Sequence, residues 1–274
     1  MRWHTQRNVD PEYTRHLADR ESLQTFDEEF PKFANEKRNV RLSLATDGFN
    51  PFKASCLSHS TLTIVLIPYN VPPHICMKEF NILCMLVSGP KSPGKCLNVF
   101  MRPLIEELKM LWADGVYIFD QHDGSLFIMK AAVMWTIGDF PDLGMLIGLK
   151  KKGYNACPLC LDEIDATRLT RRMSYQGHRR WLQRYHDWKF ATHRFKGRIE
   201  SRDPQSFFDP YIFHQIMGQY YHTLSLHPQF KPRGRIERLC CTHMSTFYEL
   251  PYFQKLSQPY SLDVMHIETN FLTI

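Results

Sequence analysis

Residues 41–52 read RLSLATDGFNPF, and the fold turns on how that stretch is read. Leu42, Leu44 and Ala45 form an apolar run that stops abruptly at Asp47, and Gly48, Asn50 and Pro51 follow directly. The pattern is a short buried strand over 40–47 that presents a carboxylate at its C-terminal end and enters a tight turn. A carboxylate in that place can ligate a divalent metal. It can equally cap the turn.

Working outward, residues 61–69 (TLTIVLIPY) are β-branched and apolar, a second strand closed by Pro68, Pro72 and Pro73. Residues 80–87 are a third apolar run ahead of a Ser-Gly-Pro stop. Over 97–112, Met101, Leu104, Leu108, Leu111 and Trp112 recur at steps of three and four, the period of an amphipathic helix. Residues 116–119 and 126–129 pair as a hairpin around Asp123 and Gly124. Residues 131–137 lead into Asp139, and a helix over 142–149 follows Pro141. This order predicts a mixed α/β core whose first part spans 39–149.

Residues 1–38 are polar, with Leu17, Leu23, Phe26, Phe30 and Phe33 as anchors and Pro31 as a break, an extension packed on the core. From 150 to 229 the apolar periodicity is lost among Arg, His, Tyr and Pro, which reads as an insertion. In 150–200 thirteen Lys or Arg face five Asp or Glu, an excess of eight within a total of +6, so the remainder is near −2. A basic insert on a slightly acidic frame fits a polyanion partner. In 230–274 a linker, KPRGRIE, precedes a helix over 262–272 that carries Asp263, His266 and Glu268 and is cut short at residue 274. No secretory segment opens the sequence, and the run 126–137 is too short to cross a bilayer and contains Lys130, so no membrane role is expected. The eight cysteines are expected to be reduced, most of them core residues.

Four features carry chemistry. Asp47 and Asp139 end strands and Glu268 lies on the last helix. Three such carboxylates can hold two Mg²⁺ (or Mn²⁺) ions for phosphodiester transfer, with Asp120, Asp123, Asp142 and Asp263 as competitors. Cys157 and Cys160 form a CxxC after a Gly-Tyr-Asn turn, half of a structural Zn²⁺ site that His178 and His186 complete, with His193 in reserve. GPKSPGKC at 89–96 approaches a phosphate-binding loop, but Cys96 stands where a hydroxyl is needed, and Pro90 and Pro93 remove backbone donors. It reads as a basic turn whose Lys91 and Lys95 touch a DNA backbone. Finally, Arg171, Arg172, Arg179, Arg180 and Arg184 are interleaved with Tyr175, Trp181, Tyr185 and Trp188. That mixture suits phosphates and stacked bases, unless the tryptophans form the core of the insertion.

These residues resemble the transposases of plant CACTA (En/Spm-type) DNA transposons. The resemblance runs through Trp3-His4, RNVRLSLATDGFNPF at 38–52, IPYNVPP at 67–73, SGPKSPGK at 88–95 and PLIEELKMLWADGV at 103–116. It continues through WTIGDFPD at 135–142, GYNACPLC at 153–160, GHRRWL at 177–182 and LDVMHIETN at 262–270. It implies an RNase H-like fold, here a mixed sheet with flanking helices and an inserted basic, zinc-binding module. It also implies an acidic triad that uses Mg²⁺ to cut transposon ends and join them to target DNA in the nucleus. Residue by residue it matches Asp47, Asp139 and Glu268 (or Asp263) to the triad, and Cys157, Cys160 and His178 to the paired cysteines and following histidine.

The family's proteins extend further at both ends, so a catalytic-region fragment is expected, a homo-oligomer among its partners and its activity reduced by the clipped helix. The alternative is a non-catalytic DNA-binding or protein-interaction remnant that keeps only the fold. For the insertion, elemental analysis of purified protein is expected to find stoichiometric zinc that is lost in Cys157→Ser. Metal-free protein would contradict the zinc staple.

Overall fold

Strand β1 (Val40–Phe49) is buried through Leu44 and again at Thr46, as a strand with neighbours on both sides requires. The computed structural model describes residues 2–6, 21–52, 59–76, 78–149, 165–168, 170, 173–176, 178–204, 211, 215, 217–219, 222, 243–257 and 259–263. β1 runs two residues beyond the expected limit, so Asp47 lies inside the strand. On one side it pairs antiparallel with β2 (Thr61–Pro68), which pairs antiparallel with β3 (Ile82–Val87). On the other side it pairs parallel with β6 (Ala131–Gly138), and β6 pairs parallel with β9 (Tyr260–Leu262). The sheet order is therefore β3-β2-β1-β6-β9. Hairpin β4 (Val116–Asp120) and β5 (Ser125–Met129) forms a separate two-stranded sheet, as does β7 (Asp165–Arg168) with β8 (Met173–Gln176).

The helices follow the expected periods. α5 (Leu97–Ala113) buries Leu97, Met101, Leu104, Ile105 and Leu108, one stripe at steps of three and four. α6 (Phe140–Ile147) is capped by Asp139 and ends at Gly148, whose φ of +92° is the left-handed cap conformation. A side chain at Gly148 would also strike the carbonyl of His243, 1.9 Å from an added Cβ. The N-terminal extension contributes α1 (Trp3–Gln6), α2 (Glu21–Glu29) and α3 (Pro31–Ala34), with Pro31 opening α3 as the break predicts. α4 (Pro73–Cys76) follows β2, and the Cys76 thiol is a core group whose pKa burial pushes up.

Residues 243–263 depart from the linker-and-helix expectation. Two 3₁₀ turns, Thr246–Glu249 and Phe253–Lys255, place Phe247, Tyr248, Tyr252 and Phe253 in the core, and Leu262 closes β9 instead of opening a helix. Tyr252 packs on Trp112 at 4.5 Å between ring centroids, and its hydroxyl accepts the Val133 N–H at 2.9 Å. Trp112 also stacks on Phe33 at 5.2 Å, so the extension, α5 and the C-terminal segment share one aromatic cluster. Residues 264–274, including Glu268, lie outside the described residues, as do 150–164 and 231–242.

A buried cation ties the extension to the sheet. The Arg41 guanidinium, fully buried at the start of β1, pairs with Asp27 on α2 at 2.6 Å and contacts His4 Nε2 at 3.0 Å. Around it the Arg41 N–H donates to Asn70 Oδ1 at 2.8 Å, and Asn70 Nδ2 donates to the Asn39 carbonyl at 2.8 Å. Removing one partner of such a pair leaves a buried charge without its counter-ion. Asp27→Ala is expected to cost about 2–3 kcal/mol in chemical denaturation, discounted because Asp27 is partly solvated. Arg41→Met should cost less, since it leaves the partly exposed carboxylate and the neutral His4 and Asn39 groups, but no buried charge, without a partner. The reverse order would refute the network.

Candidate functional site

The pairing between β1 and β6 decides where the acidic residues meet. Thr46 pairs with Gly138, and the same glycine pairs with Leu262 on β9. Asp47 follows Thr46 within β1, and Asp139 and Asp263 are the first residues beyond β6 and β9. Asp139 keeps an extended backbone (φ −68°, ψ 170°), and the Asp263 N–H donates to the Gly138 carbonyl at 2.9 Å. Neighbouring strands lie about 4.8 Å apart, so the three backbones stand abreast at the C-terminal edge of the parallel half of the sheet. Thr46 and Gly138 approach so closely that a Cβ on Gly138 would sit 2.7 Å from Thr46 Oγ1. Glycine at 138 is a requirement of this register.

Each acid has a distinct environment. Asp47 is exposed, and its carbonyl accepts the Thr63 hydroxyl at 2.9 Å. Asp139 is the N-cap of α6, with Oδ1 accepting the Asp142 N–H at 2.8 Å. It serves a structural purpose with one oxygen and keeps the second oxygen for other work. Asp142 is buried in the first turn of α6, its carboxylate 3.6 Å from where a Cβ on Gly48 would lie. Two of the competitors are used elsewhere. Asp120 is paired with Arg2 and Arg38 at 3.1 Å each, and the Arg38 guanidinium holds its carboxyl below the usual range; Asp123 pairs with Arg2. Among the described residues no three His, Cys, Asp or Glu side chains gather to hold a metal. The register aligns the residues just before Asp47 and Asp139, Thr46 and Gly138, on neighbouring strands.

The turn at 89–96 is not a phosphate cradle in its hydrogen bonding. The Pro90 carbonyl accepts the Ser60 N–H at 3.0 Å, and Gly94–Cys96 is a single 3₁₀ turn leading into α5. Lys91 is exposed; the side chain of Lys95 lies outside the described residues.

In the insertion, residues 178–204 are held by two cations turned inward. Arg179 donates to the carbonyls of Trp188, Lys189 and Arg198 at 3.1–3.3 Å and lies 4.0 Å over the Phe195 ring. Lys189, buried on the short helix α7 (Asp187–Phe190), donates to the Arg202 carbonyl at 2.9 Å. Glu200 is paired with Arg202 at 2.7 Å, and that guanidinium holds its carboxyl down at about 2. Arg180 reaches the Asp203 carbonyl at 3.0 Å, while Arg184 is exposed, 3.5 Å from the Asp203 carboxylate. Trp188 is 52% and Tyr185 82% exposed, so neither is a core residue. His186 Nδ1 caps α7 by accepting the Trp188 N–H at 3.1 Å, which leaves Nε2 as its outward nitrogen. Cys157, Cys160, Arg171, Arg172 and the side chain of His178 lie outside the described residues.

Sequence reasoning missed the inward roles of Arg179 and Lys189. Their only signal is the aromatic and proline content around them, from which a small module without a large apolar core has to be inferred. Among the described residues no helix is long and apolar enough to cross a membrane.

Two comparisons bear on the site. A family model described as "Transposase family tnp2" matches residues 11–220, which include β1, β6 and both strand-end acids. No curated protein matches the chain.

The Thr46–Gly138 contact yields a test of the register. Gly138→Ala is expected to force β1 and β6 apart beside the acids and destabilise the protein by about 1–3 kcal/mol. Adding Thr46→Ala should recover most of the loss in the same denaturation experiment. Additive costs would contradict the contact.

Proposed function

The chain belongs to the tnp2 transposase family, which implies action on DNA, and from that premise we propose a CACTA-type transposase catalytic region with an RNase H-like core. The observation that supports the reading most is the parallel pairing of Thr46 with Gly138, the residues that immediately precede Asp47 and Asp139. The strand order β3-β2-β1-β6-β9, with β2 antiparallel to its neighbours and β1, β6 and β9 parallel, supports the RNase H-like assignment. The reaction is cleavage of a DNA phosphodiester at the transposon termini, followed by joining to target DNA, in the nucleus.

Asp47 and Asp139 would hold the metal, with Glu268 as the third acid and Asp263, the residue after β9, as its alternative. Mg²⁺ or Mn²⁺, when bound, supplies the charge that activates a water or 3′-hydroxyl and stabilises the leaving oxygen. The protein's contribution is positional. The capping bond to Asp142 fixes the Asp139 rotamer, and the Thr46–Gly138 contact fixes the distance between strands. DNA is held by Lys91, Lys95, Arg171, Arg172, Arg180 and Arg184, with Tyr185 and Trp188 stacking on unpaired bases. Arg179 acts from beneath as a scaffold for that surface. Cys157, Cys160, His178 and His186 would hold a structural Zn²⁺ that ties the insertion together.

The inserted segment, where thirteen Lys or Arg stand in 150–200 and Tyr185 and Trp188 are exposed, supports a second reading, DNA binding without catalysis. Incubation with duplexes carrying matched terminal repeats separates the two. The transposase reading expects Mg²⁺- or Mn²⁺-dependent strand cleavage that falls at least about a hundredfold in Asp47→Ala, a loss on the scale of a transition-state interaction. DNA binding unchanged by Asp47→Ala, with no cleavage by either protein, would establish the second reading.

A further inference from the structure

The turn between β3 and α5 carries a serine placed for enzymatic modification, and we propose that Ser92 is the acceptor of a proline-directed protein kinase, its phosphate switching off the basic turn around it. Of the 17 prolines in the sequence, Pro93 is the single one that follows a serine or threonine. Ser92-Pro93-Gly94-Lys95 supplies what such a kinase reads, a serine with proline directly after it and a cation three residues on. Residues 88–93 lie in neither helix nor strand, and Ser92 is exposed. Proline holds the residue before it towards extended backbone, the form a kinase cleft accepts. The Ser92 hydroxyl donates to the Met145 sulfur at 3.6 Å, a weak acceptor that is readily given up. Lys95 sits in the 3₁₀ turn Gly94–Cys96, which has to open for the cation to be read, a local opening of a single turn.

In the transfer, Ser92 Oγ attacks the γ-phosphorus of the ATP that the kinase carries. The Oγ–P bond forms as the bond from that phosphorus to the β,γ-bridging oxygen breaks, ADP leaves, and the hydroxyl proton passes to the carboxylate base of the kinase. The product adds a charge of about −1.5 to −2 at pH 7. Lys91 is the neighbouring residue and is exposed, and Lys95 stands three positions on, so the new charge offsets the two cations of the turn. The turn also lies at the same end of the sheet as Asp47. Its Pro90 carbonyl accepts the Ser60 N–H at 3.0 Å, and the next residue, Thr61, pairs with Phe49, two positions beyond Asp47. A phosphate there meets DNA phosphates with like charge. The switch rests on the reading of Lys91 and Lys95 as DNA contacts; the acceptor role of Ser92 does not.

The test treats the full 274-residue chain, purified from bacteria, with a cyclin-dependent kinase and ATP. The expected product carries one phosphate, a gain of about 80 Da, mapped to Ser92 by fragmentation and absent in Ser92→Ala and Pro93→Ala. Fluorescence anisotropy with a labelled DNA duplex should then show at least about tenfold weaker binding by the phosphorylated protein at about 0.1 M salt. The dependence of log affinity on log salt should flatten by about two, as for two lost phosphate contacts. Ser92→Ala treated with the same kinase should bind as the untreated parent does. No phosphate on Ser92, or one that persists in Pro93→Ala, overturns the proline-directed site. Equal binding by the phosphorylated and untreated proteins overturns the switch. An untreated parent that binds no DNA overturns the DNA reading and the switch with it, while the mass spectrum still decides the acceptor site.

Discussion

Everything at the acidic edge of this protein depends on one contact, the approach of β1 to β6 where Thr46 meets Gly138. β1 is held antiparallel to β2 on one side and parallel to β6 on the other, so its register is constrained twice. A single step along β6 would turn Asp139 to the other face of the sheet. The missing side chain at 138 lets the strands close at that point, and α6 begins immediately afterwards with Asp139 as its cap. Strand register and helix capping thereby meet in the same few residues.

The start of β1 is constrained just as firmly by different means. Arg41 is a charged residue inside a central strand, held there by Asp27, His4 and the Asn39 carbonyl on its guanidinium and by Asn70 on its backbone N–H. The network draws α1 and α2 onto the sheet, and the Phe26–Phe33–Trp112–Tyr252 cluster completes the junction. The extension is accordingly part of the core, and strand position at the N-terminal end of β1 is linked to helices distant in sequence.

Much of the fold was legible in local patterns, because β-branched runs at 61–68 and the stripe from Leu97 to Leu108 carry their periods openly. Register was not legible, since it rests on a tertiary contact between a threonine and a glycine. Nothing in the local pattern marks Arg41 as buried, because its partner Asp27 lies on another element. Residues 246–263 escaped because 3₁₀ turns and a three-residue strand have neither a helical nor an alternating period over a useful length. At the site, the sequence pointed to Asp47 and Asp139 by type. DFPD also carried a capping signal, an Asp ahead of Pro in a first helical turn, and the structure realises it. A cap and a ligand are compatible roles for a carboxylate with two oxygens.

The central claim we propose is that Asp47 of β1 and Asp139, the residue after β6, form a divalent-metal site. Crystals of the protein grown with Mn²⁺, examined by anomalous scattering, test it directly. The account predicts a peak between these two carboxylates that disappears in Asp47→Asn. A peak confined to other acidic groups, or none at the strand ends of a well-ordered core, would contradict it.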